Sequence, residues 1–406
     1  MGKEASITTA PPTAQYDLLL KGGEVLDPGQ GLRQRLDVAV AGGRIAVVQA
    51  DIPEGQARRT VRVVGCLVVP GLIDIHTHVY PGATPGGIDP DIAGVYSGVC
   101  TVVDAGSGGS HTVGGLVRLV APGAKTRLLA LTHISRTGLA TMPEIRTPED
   151  ADTAAAVRAI QEGRPVVQGV KLRLVGPGVA SLGVEAVRRA LSAAQETGTR
   201  LMVHIGDPGG EVDPQVTRQM LNLLRPGDIV THAFTGNPGG LLDGQGRAWP
   251  EVKEAVVRGV CLDTAHGRMN FSFISARRLL EQGVIPHTIS TDMTLPGRQT
   301  TVGSLTEIMS KFLALGFSVE DVVRMVTANA ARAVGMADRQ GSLALGREAD
   351  ITVLRLVTGR FLFRDTKGET LEGEQALVPM LCVRAGEVVP LDWGPRPWGW
   401  LPEHTG

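Results

Sequence analysis

Six residues stand at spacings that suit metal-assisted hydrolysis. His76 and His78 form a His-Thr-His triplet after PGLID, Lys171 sits in the apolar run VVQGVKLRLV, His204 and His232 are single histidines in LMVHIGD and DIVTHAFTG, and Asp292 nearly closes HTISTDM. Residues two apart on a strand share a face, so both histidines of the triplet can hold one divalent ion. Alone, such a pair is as often coincidence as a ligand pair; two further strand-end histidines and the aspartate make a shared site the better reading. Lysine is rare here, seven residues against 33 arginines, and an isolated buried lysine ordinarily snorkels or pairs with an acid. Beside four histidines and an aspartate, the neutral amine of Lys171 is expected instead to combine with carbon dioxide, giving a carbamate that bridges two metals. Burial assists by lowering the amine pKa from its reference of about 10.4. Two ions ~3.5–4 Å apart would share a hydroxide, because metal binding lowers the pKa of water from ~15.7 toward ~7. Asp292 would ligate one ion, take the proton of the attacking water and deliver it to the leaving group.

Such residues need a scaffold that gathers strand ends. Eight apolar runs, at 71–78, 98–106, 127–135, 166–176, 200–207, 228–236, 260–267 and 287–293, alternate with amphipathic stretches such as VEAVRRALSAAQETG and FISARRLLEQG. Strands buried on both faces and separated by helices predict a (β/α)8 barrel, whose active site lies at the C-terminal strand ends. A doubly wound sheet is the alternative, but the turn after its first strand would carry a glycine-rich phosphate fingerprint, and HTHVYPG stands there instead. Short β-like runs at both ends of the chain (YDLLLKGGEVLD and LDVAVAGGRIAVVQA, then ADITVLRLV and LCVRAGEVV) are each too small to bury a sheet alone. They predict one small β-sandwich from 16–68 plus 337–392, flanking a barrel over 69–336. Residues 1–15 are expected to be a disordered extension, and 393–406 a tail holding three of the four tryptophans, docked on the sandwich or serving as an oligomer contact.

Lys+Arg 40 against Asp+Glu 41 excludes a polybasic nucleic-acid or membrane surface as the main business. Scarce aromatics argue against a base-stacking platform. Four scattered cysteines without CxxC spacing, and an N-terminal segment without an apolar core, predict a cytoplasmic protein.

A second tier of residues is placed by direction along the strands. Arg173 follows Lys171 by two, so it can hold a substrate carboxylate, or equally an acid at the barrel rim. His266 ends the seventh run and either polarises the scissile carbonyl, binds the substrate or caps a turn. Tyr80, Ser135, Arg136 and Asn270 open loops and are candidates for the pocket wall. A turn or N-cap role suits Asp104, and His111, His133, His287 and His404 are set aside as structural.

The stretches PGLIDIHTHVYPG, SGVCTVVDAGS, GVKLR, LMVHIGDP, GDIVTHAFTG, RGVCLDTAHG, HTISTDM, MSKFLALGFS and TANAARAVG with GSLALGREADI make the chain recognisable. From about Tyr16 to Val389 it resembles the amidohydrolase superfamily, within it the amidohydrolase/deacetylase metallohydrolases related to dihydroorotases and D-aminoacylases. The resemblance implies that His76 and His78 bind the more buried of two divalent ions, His204 and His232 the more exposed one. It further implies that Lys171 bridges as carboxylysine, made with carbon dioxide or bicarbonate, and that Asp292 is ligand and general base; zinc is the default metal. Turns after His204 (GDPGG) and His266 (GRMNFSF), and the loop NPGGLLDGQGRAWPE with Trp249, depart from the group's usual pattern. A substrate carried over from any one relative is therefore open. The expected reaction is removal of the acyl group from an N-acyl amino acid or O-acyl α-hydroxy acid with a free carboxylate, in a homo-oligomer. Opening of a cyclic amide is the alternative chemistry, and a catalytically silent scaffold the alternative of another class.

Overall fold

A computed structural model describes residues 7–9 and 14–392. The N-terminal strands are β1 (Ile7–Thr9), β2 (Tyr16–Asp27), β3 (Leu32–Ala41), β4 (Arg44–Gln49), β5 (Ala57–Arg62) and β6 (Leu67–Pro70). Seven parallel strands follow: β7 (Leu72–Thr77), β8 (Val99–Gly109), β9 (Arg127–His133), β10 (Val167–Arg173), β11 (Arg200–His204), β12 (Ile229–Thr231) and β13 (Cys261–Asp263), neighbouring one another in sequence order. The chain then returns through β14 (Ile351–Arg364), β15 (Thr370–Arg384) and β16 (Glu387–Val389).

Hydrogen bonds join the strands from both ends into one nine-stranded mixed sheet, in the order β1-β5-β2-β6-β14-β15-β16 with β3 and β4 branching from β2. Alternation explains its two faces. In β2, Leu18, Leu20 and Val25 enter one core with Val38, Val68 and Ile351, whereas Leu19 packs with Tyr16 and Ala39 on the other side. Register slips between Leu20 and Gly23, and a Cβ at Gly23 would meet Val68 Cγ2 at 2.6 Å. Where an unstructured extension was expected over 1–15, Ile7–Thr9 pairs antiparallel with β5; residues 1–6, 10–13 and the tail 393–406 lie outside the described residues.

The barrel closes through its eighth run, which forms single bridges instead of a continuous strand. Thr288 bridges Asp263 of β13 and Met293 bridges Thr77 of β7. His266 N donates to Ser290 O, Asp292 N to His76 O and His78 N to Met293 O. The ladder is interrupted because Asp292 takes a left-handed backbone, φ 51°. Inside, Ile75, Val103, Leu129, Leu131, Met202 and Ile229 pack on helix Ala328–Ala333, which plugs the N-terminal end. The long hairpin β14–β15 reaches beyond its own sheet: Phe361, Phe363, Ala376 and Leu377 join the barrel's outer core, and Leu377 N donates to Ser310 on helix Leu305–Ala314. Among the described residues no helix is long and apolar enough to cross a membrane.

Candidate metal centre and active site

The barrel mouth brings all six chemistry-bearing residues together. Asp292 Oδ1 lies 3.0 Å from His78 Nε2 and 3.5 Å from His76 Nε2, and these three side chains can offer ligand atoms within 4.8 Å of one another. Lys171, fully buried, places Nζ 3.2 Å from His76 Nε2. The His232 ring stands 5.0 Å from that of His76 and 4.0 Å from that of His204. Five non-glycine residues described have positive φ, and three of them, His232 (69°), Ala265 (31°) and Asp292 (51°), terminate adjacent barrel positions. Strain of this kind persists only where surrounding contacts enforce it, and it re-aims side chains at strand ends.

Outer contacts orient the imidazoles. Thr231 gives its single hydroxyl proton to Asp263 Oδ2 at 2.7 Å, so its Oγ1 accepts from His76 Nδ1 at 2.8 Å. His232 Nδ1 donates to Ala265 O at 2.7 Å, and His78 Nδ1 lies 2.9 Å from Ser107 Oγ. Each pattern turns Nε2 toward the shared centre, and Nε2 of His204 and of His232 are buried without a hydrogen-bond partner. Orphaned imidazole nitrogens beside a carboxylate, with Nδ1 of His76, His78 and His232 held from outside, are what a metal centre requires.

Burial dominates the electrostatics. It lowers His76 well below the ordinary imidazole range, assisted by the Lys171 charge, and brings His232 to about 3. Burial also brings the Lys171 amine down to about 7. For Asp292 burial acts upward, but the His78 hydrogen bond and the charges of His232, His78 and Lys171 outweigh it and hold the carboxyl below its usual value. Imidazoles of His76, His204 and His232 whose charging burial opposes, a carboxyl held toward its ionised form and a readily neutralised amine form a donor set with which divalent ions are compatible.

The second tier divides. Arg173 lines the cavity above the six residues but donates to Glu144 Oε1 at 2.9 Å, from the loop after β9. Asn270 lines the same cavity. His266 is not in its wall: Nδ1 donates to Gly267 O at 2.9 Å, Nε2 accepts from Lys311 Nζ at 3.0 Å, and the ring stacks on Phe271. An apolar site behind the loop captured that ring because helix Leu305–Ala314 supplies a buried ammonium. Tyr80 turns its hydroxyl to Thr112 O, Ser135 holds His133 Nδ1, and Arg136 pairs with Asp152, so none of the three faces the cavity. Asp104 has the turn role expected of it, accepting from Val79 N and Ser107 N. His111 is exposed, His287 accepts from Leu262 N, and His404 lies outside the described residues. His133, set aside as structural, is fully buried with Nε2 unpartnered and 3.8 Å from Glu144 Oε1, beside Arg173. Its strand-end position at the close of β9 was the available signal. Arg268 was missed; it lines the cavity, and among the described residues no carboxylate pairs with it.

The cavity measures about 310 Å³. His78, His204 and Asp292 form its floor; Arg173, Arg268 and Asn270 supply polar walls, and Leu139, Met142, Met269 and Pro296 apolar ones.

A model described as the amidohydrolase family matches residues 67–367. The chain is 29% identical over 380 residues to Deacetylase Atu3266 of Agrobacterium fabrum, covering 92% of each chain. It is equally 29% identical to a deacetylase of Enterococcus faecalis, covering 92% of this chain and 99% of that one. Among solved structures, an adenine deaminase superposes with TM-score 0.85 at 29% identity, over 92% of this chain and all of that one. A dihydroorotase gives 0.82 at 28% identity, over 93% and 99%.

Proposed function

The chain belongs to the amidohydrolase family and is a hydrolase acting on amide bonds, and from that premise we propose that it removes the acyl group of an N-acyl amino acid or O-acyl α-hydroxy acid. The observation that carries the reading is the pair of buried, unpartnered Nε2 atoms of His204 and His232, facing a centre that already holds His76, His78 and Asp292. These residues fit divalent ions: His76, His78 and Asp292 would hold one, His204 and His232 a second, and Lys171, once carboxylated, would be a ligand shared by both. Nitrogen and oxygen donors of this kind suit zinc first. The chemistry such ions would supply is acidification of a water and polarisation of the scissile carbonyl.

The chain's own residues do the rest. Asp292, ionised and 3.0 Å from His78 Nε2, takes the proton of the attacking water and returns it to the departing nitrogen or oxygen. Arg268, a lining cation without an acidic partner among the described residues, and the neighbouring Asn270 amide favour a substrate with its own negative charge. Leu139, Met142 and Met269 give its apolar part a surface. The relatives named deacetylases support the acyl group as the part removed. The dihydroorotase likeness supports a second reading, the opening of a cyclic amide by the same residues.

A panel of N-acetyl amino acids, O-acetyl α-hydroxy acids, dihydroorotate and hydantoins on one metal-loaded preparation decides between them. Deacylation abolished by Asp292→Asn is expected. Ring opening without deacylation would replace the first reading by the second, and inactivity on the whole panel would defeat both.

A further inference from the structure

The turn of the β14–β15 hairpin belongs to the terminal sheet, yet it is clamped against the loop that follows β13. Asp365 Oδ2 accepts from Phe273 N at 2.9 Å, and the Thr366 hydroxyl donates to Phe271 O at 2.7 Å. Beyond them Lys367 lays its stem across Gly236, where a Cβ would stand 3.6 Å from Lys367 Cε, and its ammonium donates to Asn237 Oδ1. Asn237 is buried and donates through Nδ2 to Asn270 Oδ1 at 3.0 Å and to Met269 O at 3.2 Å.

This chain of contacts has a fixed polarity. An ammonium has donors and no acceptor, so the amide of Asn237 must turn its oxygen to Lys367. Its Nδ2 must then point to Asn270, which answers with Oδ1, and the Asn270 NH2 group is left facing the other way. That group lies 3.4 Å from where a Cβ at Gly267 would be, and the same Cβ position is 2.3 Å from Asp292 Oδ2. Asn270 and Asp292 both line the cavity, so this donor stands at its wall beside the proposed general base. Arg268, two residues earlier on the same loop, lines that cavity without an acidic partner, whereas Arg173 is already paired with Glu144.

We propose that the substrate carboxylate is held between the Arg268 guanidinium and the Asn270 NH2 group, and that Lys367 is the positioning residue that keeps Asn270 presenting a donor. This rests on the carboxylate-bearing substrate proposed above. Without the ammonium, either amide is free to flip, and Asn270 Oδ1 then faces the substrate carboxylate.

The test compares wild type, Lys367→Met, which keeps the stem, and Lys367→Arg, which restores a donor-only head. Each is metal-loaded and assayed with N-acetylalanine and N-acetylalaninamide, and its binding of N-methanesulfonylalanine, which cannot be deacylated, is measured by calorimetry. Expected for Lys367→Met is a rise of about tenfold in KM and in the sulfonamide Kd, with kcat held within about twofold, the size of one lost hydrogen bond to a charged group. The carboxamide should show no such rise, and Lys367→Arg should restore the wild-type values. Equal losses on carboxylate and carboxamide, no loss at all, or failure of the wild type to bind the sulfonamide would each overturn the assignment. Lys367-dependent sulfonamide binding by an enzyme that hydrolyses none of the acyl compounds would uphold the anchor and defeat the proposed reaction.

Discussion

Replacing His266 by Phe separates a catalytic histidine from a buried structural one. The ring packs at 4.6 Å and 18° against Phe271, and phenylalanine preserves that contact. What disappears is the acceptor for Lys311 Nζ at 3.0 Å, in a pocket where the lysine side chain is 1% exposed. Lys311 keeps Glu307 Oε1 at 3.2 Å and Thr301 O at 3.4 Å, so the charge is not orphaned. The loss is that of one hydrogen bond from a charged donor, about 1.5–3 kcal/mol. Urea unfolding of the metal-loaded protein should therefore show a free energy lower by about 2 kcal/mol, while kcat stays within roughly threefold of wild type. A histidine that polarised the scissile carbonyl would behave in the opposite way, lowering kcat about 10²–10³-fold. A fall of that size with unchanged unfolding free energy would refute the placement of His266 behind the loop.

The same variant has a pH signature. Burial, then the Lys311 charge, lower His266 well below its ordinary value, so in acid the unfolded chain takes a proton that the folded one does not. Stability from this group is complete above about pH 6.5 and declines below it, so the gap between wild type and His266→Phe should narrow by ~1.4 kcal/mol per pH unit from there; a gap constant from pH 7 to 5 would contradict the reasoning. Asp292→Asn should lower kcat at least about 10³-fold by removing the proton acceptor, with circular dichroism unchanged; near-wild-type turnover would remove Asp292 from that role. Growth or reconstitution with ¹³C-bicarbonate should label Lys171, seen as one carbamate carbon by NMR and absent in Lys171→Met, and an unlabelled active enzyme would exclude carboxylation. Chelation should abolish activity and lower the thermal midpoint, and zinc at ~100 times its Kd should restore about 2.7 kcal/mol of stability; full activity after chelation would exclude a metal role.

The six-residue site was legible because its residues lie in or directly after the barrel's apolar runs, where period two and the C-terminal-end rule translate sequence position into place. His76, His78, Lys171, His204, His232 and Asp292 converge for that reason. The barrel was legible for the same reason, except that its eighth run forms bridges and not a strand, since the turn in backbone at Asp292 leaves no mark in HTISTDM. Residues beyond strand ends were harder, because loops meet through distant partners. Glu144, 29 positions from Arg173 in an unpatterned loop, decides what that arginine does. Lys311, 45 positions from His266, decides what that histidine does. Nothing in GRMNFSF announces that Asn270 is turned by Asn237 and Lys367, because that relay crosses from the barrel to a hairpin 97 residues downstream of Asn270.

The groups behind the ligands show how neutrality and orientation are kept together. Asp263 is fully buried and accepts from Thr231 at 2.7 Å, Thr288 at 2.9 Å and Ser290 at 2.9 and 2.8 Å, and its Oδ2 is 4.0 Å from His76 Nδ1. Asp74 likewise accepts from the Thr291 hydroxyl at 2.6 Å. A carboxylate bonded directly to His76 would favour the imidazolium, which has no lone pair for a metal. Thr231 stands between them, transmitting the acceptor's direction to Nδ1 while keeping the full charge a further step away. His76 is thus held in one tautomer and one orientation and remains uncharged. The unpartnered Nε2 atoms of His204 and His232 adjoin the same buried centre, where the proposed divalent ions would supply the positive charge.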